Sequence, residues 1–522
     1  MSAIRKLASQ TAVYGLSSII GRIAVWGLTP IYTARLEPGE YGVFGDLYSI
    51  VTYFLVILTF GMETSFFRFS SDDKTDKRPY TQALLFVGGL ATIFLVIFGF
   101  GHQGLASALG YGERSGLVLM VVFIIYLDVM VALPMAKLRY DERPIVFATI
   151  SLVSIFLNIG LNLWFILGQG EKSAEYVFIA NLIASGFKLS LLVFFSLPFT
   201  DRLKQLGRIG AKLGSINVLP ENLILHRGMM RSMAAFGFYI MLAGLFGMIN
   251  QYSDINFVKR LWPADGADYA GEWITGAAMA GILFANKKLA VFILLVTQAF
   301  RYAAEPFFFR QARESDSKGV FAKVFHYFML AALGVFLLVS VFAREFVNIK
   351  IAGFQIIDEQ YHLGLEVVPL LLFAFVLWGA YINISIWFKL TKQVRFGLLF
   401  SGAGVITILL FFVILIPFYG YMGAATAMLL CYLVMCALCY RVGQTYYPIP
   451  YRIGRTGIYM AIILTAFFTC RSLGGELVFA GPFWGKLLIC LAAFGLIAAI
   501  ERLRPIDWEA GAISDGIPTD KA

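Results

Sequence analysis

The 522-residue chain is short of charge, of cysteine and of histidine. Charged residues make up 14% of it, where a soluble domain carries about 25%. That shortage excludes a soluble protein of several domains, because too little polar surface is present to coat one. The five cysteines (Cys431, Cys436, Cys439, Cys470 and Cys490) are odd in number and match no metal-site spacing. They read as inert groups facing lipid or core. The four histidines are scattered, so no metal centre and no cofactor are expected. Short alternating segments are lacking too, which excludes a transmembrane β-barrel.

What the chain does hold is hydrophobic residue, 59% of the total. Apolar runs of about 20 residues recur from end to end, the length that spans a bilayer as helix. The pattern predicts an all-α polytopic membrane protein of about fourteen spanning helices. The expected spans are 8–33, 43–67, 81–101, 116–138, 146–168, 175–198, 232–255, 273–299, 321–343, 364–388, 395–416, 421–440, 455–471 and 485–501. The run after Arg5-Lys6 is too long for a signal h-region and reads as the first spanning helix. With the N-terminus inside, Lys and Arg favour the inner loops by roughly three to one, as the positive-inside rule requires. Both termini are then cytoplasmic. The net charge of +10 belongs to this topology and does not point to nucleic acid.

The longest inner connection, 199–231, is basic and glycine-bearing and reads as a cytoplasmic linker. It divides a six-helix lobe (1–198) from a second (232–441), with two further helices and a tail in 442–522. A weak repeat supports the division. Phe66-Phe67-Arg68 after helix two is echoed by Phe307-Phe308-Phe309-Arg310 after helix eight. Two parallel lobes with a substrate site between them is a recurrent transporter plan. Helices thirteen and fourteen read as an appendage without mid-membrane charge, and the longest outer loop is expected near 255–272.

Chemistry is expected where charge lies inside the membrane. Arg22 stands near the middle of helix one, where a charge costs roughly 2.5–3.5 kcal/mol unless it meets water, an anion or a partner. Thr11, Gly15, Ser18, Arg22 and Thr29 fall on one stripe. Helix four adds Asp128. Helix five adds Ser151, Ser154, Asn158 and Asn162, and helix six adds Asn181, Ser185 and Lys188. Shared polar stripes imply either a wet cavity or interhelical hydrogen bonds. Helix eight carries Asn286-Lys287-Lys288, adjacent residues that point about 100° apart, so one lysine can face a cavity while the other meets an acid. Helix seven ends with Asn250 and Asp254, read as interfacial.

Arg22, Lys188, Lys287 and Lys288 against Asp128 alone is a surplus of buried cations, which implies an anionic ligand, and a pyrophosphate best occupies several cations at once. The candidate substrate-binding residues are thus Arg22, Lys188, Lys287, Lys288, Asn158, Asn162 and Asn181. Asp128 either couples transport to H+ or Na+, or pairs with Arg22 or Lys188. Glu63 and Arg68, at the inner end of helix two, are candidates for a gate, Glu63 reading equally as an interfacial carboxylate. No aromatic subset of the sequence marks a sugar-stacking platform.

Several stretches resemble a known family. The run Leu7-Ala8-Ser9-Gln10-Thr11-Ala12-Val13-Tyr14-Gly15-Leu16, then Pro30-Ile31-Tyr32-Thr33, Pro38-Gly39-Glu40-Tyr41-Gly42, Phe60-Gly61-Met62-Glu63-Thr64 and Phe67-Arg68-Phe69 resembles Wzx-type polysaccharide flippases. Ala304-Glu305-Pro306-Phe307-Phe308 is similar. The family lies in the superfamily of multidrug/oligosaccharidyl-lipid/polysaccharide exporters. The resemblance implies two six-helix lobes with two added C-terminal helices, and alternating access. It implies a polyprenyl-pyrophosphate-linked glycan as partner, carried across a bacterial inner membrane for surface polysaccharide such as O-antigen, and a cationic cavity. A multidrug or cation antiporter of the same superfamily would favour an acidic centre instead. A membrane glycan polymerase or ligase would need a large outer loop with an acid–base set, which the sequence lacks.

Overall fold

The computed structural model describes residues 20–70, 76–196, 225–311, 317–391, 393, 395–473 and 482–503. Twelve helices among them are long and apolar enough to cross a membrane. One of these, Arg395–Tyr446, bends at Gly420 (φ 50°, ψ −129°) beyond Pro417 and is two spans, as the pattern predicts. The chain is a multi-pass, all-helical membrane protein, since in hydrocarbon only helices satisfy their own backbone without an edge. It divides into two compact units, 1–253 and 254–522.

In the first unit, α1 (20–26) and α2 (Thr29–Arg35) complete helix one. Thr11, Gly15 and Ser18 lie outside the described residues, as does 199–224 of the expected linker. Helix two is broken: α3 (Pro38–Thr59) stops where Phe60 and Gly61 both turn left-handed, and α4 (Met62–Phe69) resumes. Then follow α5 (Arg78–Phe100), α6 (His102–Ala108), α7 (Ser115–Tyr140), α8 (Pro144–Leu163) and α9 (Ala174–Ser196). Proline at the first turn of α3 and α8 sits where its missing N–H costs nothing. α10 (Arg227–Leu261) crosses the helix-two break. A Cβ on Gly61 would stand 2.7 Å from the Gly237 carbonyl oxygen, so two glycines let the backbones touch. Ser65 Oγ donates to Met233 O at 3.1 Å beside them.

In the second unit, a hairpin of β1 (Ala267–Tyr269) and β2 (Glu272–Ile274) precedes helix eight. That helix is also broken. α11 (Gly276–Lys287) ends in a single 3₁₀ turn, Lys288–Ala290, before α12 (Val291–Gln311). The side chains of residues 302–307 lie outside the described ones, so nothing follows for most of the run 304–308. α13 (Ser317–Val341) leads to α14 (Ala343–Val347), a hairpin of β3 (Lys350–Ile351) and β4 (Phe354–Gln355), and a 3₁₀ stretch to Val367. This connection, and not 255–272, is the longest between spanning helices among the described residues. Next come α15 (Val368–Ile384), α16 (Ile386–Leu390), α17 (Arg395–Tyr446), α18 (Ile453–Ser472) and α19 (Phe483–Leu503).

The last two helices are tied to the rest of the second unit by polar contacts at their ends. At one end Glu501 accepts from Tyr459 OH and lies 2.9 Å from His326 Nε2 on α13, with Arg455 Nε at 3.4 Å. At the other end Lys486, buried within α19 and not in a loop, pairs with Glu345 on α14 at 2.8 Å.

Candidate functional site

Two polar centres lie inside the spans, one in each unit. In the first, α3, α7 and α9 converge on Asp128. Ser185 Oγ donates to Asp128 Oδ1 at 2.7 Å. Lys188, one turn further along α9, lies within electrostatic reach of that carboxylate but beyond ion-pair contact. Tyr48 on α3 lies within electrostatic reach of Asn181 and Asp128. A carboxylate, an ammonium, an amide and two hydroxyls thus share one locus. Asp128, Asn181, Ser185 and Lys188 are the residues expected from the helix-four and helix-six stripes. Tyr48 is an addition, which its aromatic neighbours in the sequence disguise as packing.

The helix-five stripe does not join them. Asn162 Nδ2 donates to Asn158 O at 2.8 Å and to Asn158 Oδ1 at 3.1 Å, and Ser154 Oγ to Ile150 O at 2.7 Å. These hydrogen bonds run along the helix itself, while the buried Asn162 Oδ1 has no hydrogen-bond partner among the described residues. Arg22 is exposed on α1 and makes no ion pair or side-chain hydrogen bond among the described residues. Its neighbour Gly21 is buried against Ile155 of α8, so the arginine projects beside a close helix contact. Thr29, from the same expected stripe, is buried at 2% exposure.

In the second unit, the break in helix eight splays three adjacent side chains. Asn286 is buried, and its Nδ2 donates to Ile282 O at 2.9 Å and Tyr361 O at 2.8 Å. Lys287 Nζ lies 2.8 Å from both carboxylate oxygens of Asp254. Lys288 Nζ sits 4.0 Å above the Phe284 ring centroid, a cation–π contact. Asp254 is therefore not interfacial. It is fully buried, and its charge is matched by Lys287.

Asp46 on α3 is a further fully buried carboxylate that the sequence reading passed over. It accepts from Tyr111 OH at 2.7 Å. Four cations against one anion thus becomes four against three, and Arg22 and Lys188 make no ion pair among the described residues. At the end of helix two, Glu63 pairs with Arg139 at 2.6 Å, while Arg68 lies 4.2 Å over the Phe236 ring. Glu63 thus meets a cation at the end of helix four, and Arg68 meets an aromatic ring. All five cysteines are free, four of them buried.

No family model matches the chain, and no curated protein sequence does. Solved structures do. The lipid II flippase MurJ, in an inward closed conformation, superposes with a TM-score of 0.66 at 12% identity, covering 94% of this chain and 98% of its own. An inward-facing multidrug resistance MATE family transporter gives 0.59 at 13% identity, over 85% of this chain and 98% of its own. A transporter from Pyrococcus furiosus, described as having a binding pocket of reversed polarity, gives 0.53 at 12% identity, over 84% and 95%. With two broken spanning helices and thirteen spans among the described residues, the chain has the fold shared by MurJ and the MATE transporters of the MOP superfamily.

Proposed function

We propose that the protein is a flippase that moves an undecaprenyl-pyrophosphate-linked oligosaccharide from the cytoplasmic to the periplasmic leaflet. Alternating access, with both termini cytoplasmic in a bacterial inner membrane, completes the reading. The cargo serves surface polysaccharide synthesis. The observation that carries it is Arg22, an intramembrane arginine that is exposed and has no carboxylate partner among the described residues. A guest anion is what this reading assigns to offset a charge held at that depth. Lys188 and Lys288 are the further cations assigned to the pyrophosphate, and Asn181 is assigned to the cargo as well. Lys287 is assigned to Asp254 instead. The six-helix lobes are assigned to 1–198 and 232–441.

The test is Arg22→Gln and Lys188→Gln in a surface-glycan complementation assay, with membrane expression measured alongside. Loss of surface glycan at normal expression is the expected result. Wild-type glycan from both variants overturns the reading.

A second reading has a specific basis in Asp128, whose carboxylate accepts from the Ser185 hydroxyl and is not in ion-pair contact with a cation among the described residues. A cation antiporter of the same fold would use it as its exchange site. Drug resistance that rises with expression and vanishes in Asp128→Asn, with no glycan phenotype, would favour that alternative. In the flippase the same carboxylate takes H+ or Na+ and couples the cycle to its gradient.

A further inference from the structure

The hairpin β1–β2 exposes one large ring. Trp273 is 73% accessible, yet it is not loose. Its Nε1 donates to Asp265 O at 2.9 Å. Its ring lies so close over Gly266 that a Cβ there would collide with it, and Gly266 holds φ at +98°, where a side chain is disfavoured anyway. One face of the indole is thus backed by glycine backbone and the other is open. Fixing an exposed side chain costs rotamer entropy that burial does not return here.

The strand register supplies a partner. Asp268 pairs directly with Trp273, so both side chains stand on the same outward face of the ribbon. The opposite face is anchored. Trp262 Nε1 donates to Ile274 O at 2.9 Å, and the Trp262 and Tyr269 rings meet edge-on at 5.7 Å. A rigid base therefore carries an oriented aromatic surface with a carboxylate beside it.

We propose that Trp273 and Asp268 form a docking platform for a sugar ring. The indole stacks on the C–H face of the ring, and the carboxylate accepts hydrogen bonds from its hydroxyls. The sequence pattern hides this platform, because the hairpin register creates it. Asp265 and Asp268 are both exposed beside the ring, and such carboxylates disfavour seating it in an anionic lipid surface. In the orientation read from the loop charges, the hairpin faces the periplasm. The glycan meant is that of the proposed cargo, and to that extent the inference rests on the flippase reading.

The experiment uses the full chain in lipid nanodiscs. The probe is the oligosaccharide released by mild acid from the surface polysaccharide of the producing cells, freed of pyrophosphate and lipid. Binding is followed by saturation-transfer NMR. Trp273→Ala is expected to weaken it about tenfold, the scale of one good aromatic contact, and Trp273→Phe to keep most of it. Asp268→Asn is expected to weaken it about threefold. Equal binding by wild type and Trp273→Ala, or no binding by wild type, overturns the proposal. So does strong quenching of the Trp273 fluorescence (wild type minus Trp273→Phe) by brominated lipid, which would make the ring a membrane anchor. Movement of polyprenyl-linked glycan in proteoliposomes separates the two claims. A wild type that binds the soluble glycan but moves no lipid-linked glycan sinks the flippase reading and leaves the platform. A Trp273→Ala protein that binds normally, beside a wild type that transports, sinks the platform alone.

Discussion

Helix two and helix eight are both interrupted inside the membrane, and the two interruptions are held by different physics. In helix two the backbone itself turns, through left-handed Phe60 and Gly61, and is kept there by glycine-to-glycine contact with α10. In helix eight a 3₁₀ turn follows Lys287, and a buried ion pair with Asp254 holds the end of α11 to α10. The charges near each break differ in the same sense. Lys287 is closed on its acid, while Lys188 stays out of contact with Asp128, which spends a lone pair on Ser185. A lysine already gripping both oxygens of a carboxylate is structure. One held at electrostatic range is free to change partners.

The contrast is broken most severely at the ion pair. Asp254→Asn should cost about 3–5 kcal/mol, because it strands a buried ammonium. A thermal unfolding curve in detergent checks this, and Asp254→Asn with Lys287→Met should recover most of the loss. If the single variant unfolds like wild type, Lys287 has another way to discharge. The backbone break comes next. Gly61→Ala should cost about 1–3 kcal/mol, from the positive φ and the contact with Gly237 O. Gly39→Ala, where open space surrounds the glycine, is the control and should leave the curve in place.

Asp128→Asn sharpens the comparison from the other side. It should move stability by only about 1 kcal/mol, the net worth of a hydrogen bond, while transport loses its dependence on the driving ion. A loss of stability as large as that of Asp254→Asn would place Asp128 among structural groups. The smallest effect is expected at Phe284→Leu. Removing the ring under Lys288 should cost about 0.5–1 kcal/mol, visible as a slight fall in the unfolding midpoint.

The helices were legible because a bilayer demands about 20 apolar residues in a row and nothing else in the chain imitates that signal. Even the turn at Gly420 stood out, between two such runs. The interruptions were not legible. Phe60-Gly61 falls within the expected span 43–67, and Asn286-Lys287-Lys288 reads as mid-helix, because a break is fixed by what crosses it. Helical spacing rightly grouped Asp128's neighbours on α9, since residues three and four apart share a face. The same spacing also lets Asn162 bond back to Asn158 within one helix, which a stripe in sequence does not distinguish from a shared cavity wall. Pairings across the chain were beyond reach. Asp254 and Lys287 lie either side of a hairpin, and Asp46 meets Tyr111 from another helix, so a count of charges in sequence overstated the positive surplus.

The clasp on the final pair of helices bears on how the chain can be handled. A stop codon placed before Glu501 would strip His326 and Arg455 of their common acceptor, and one before Lys486 would also leave Glu345 without its cation. Affinity tags therefore belong beyond Leu503. A shortened protein that misbehaves in detergent would be reporting a lost fastening on α13 and α14, and not the removal of a transport step.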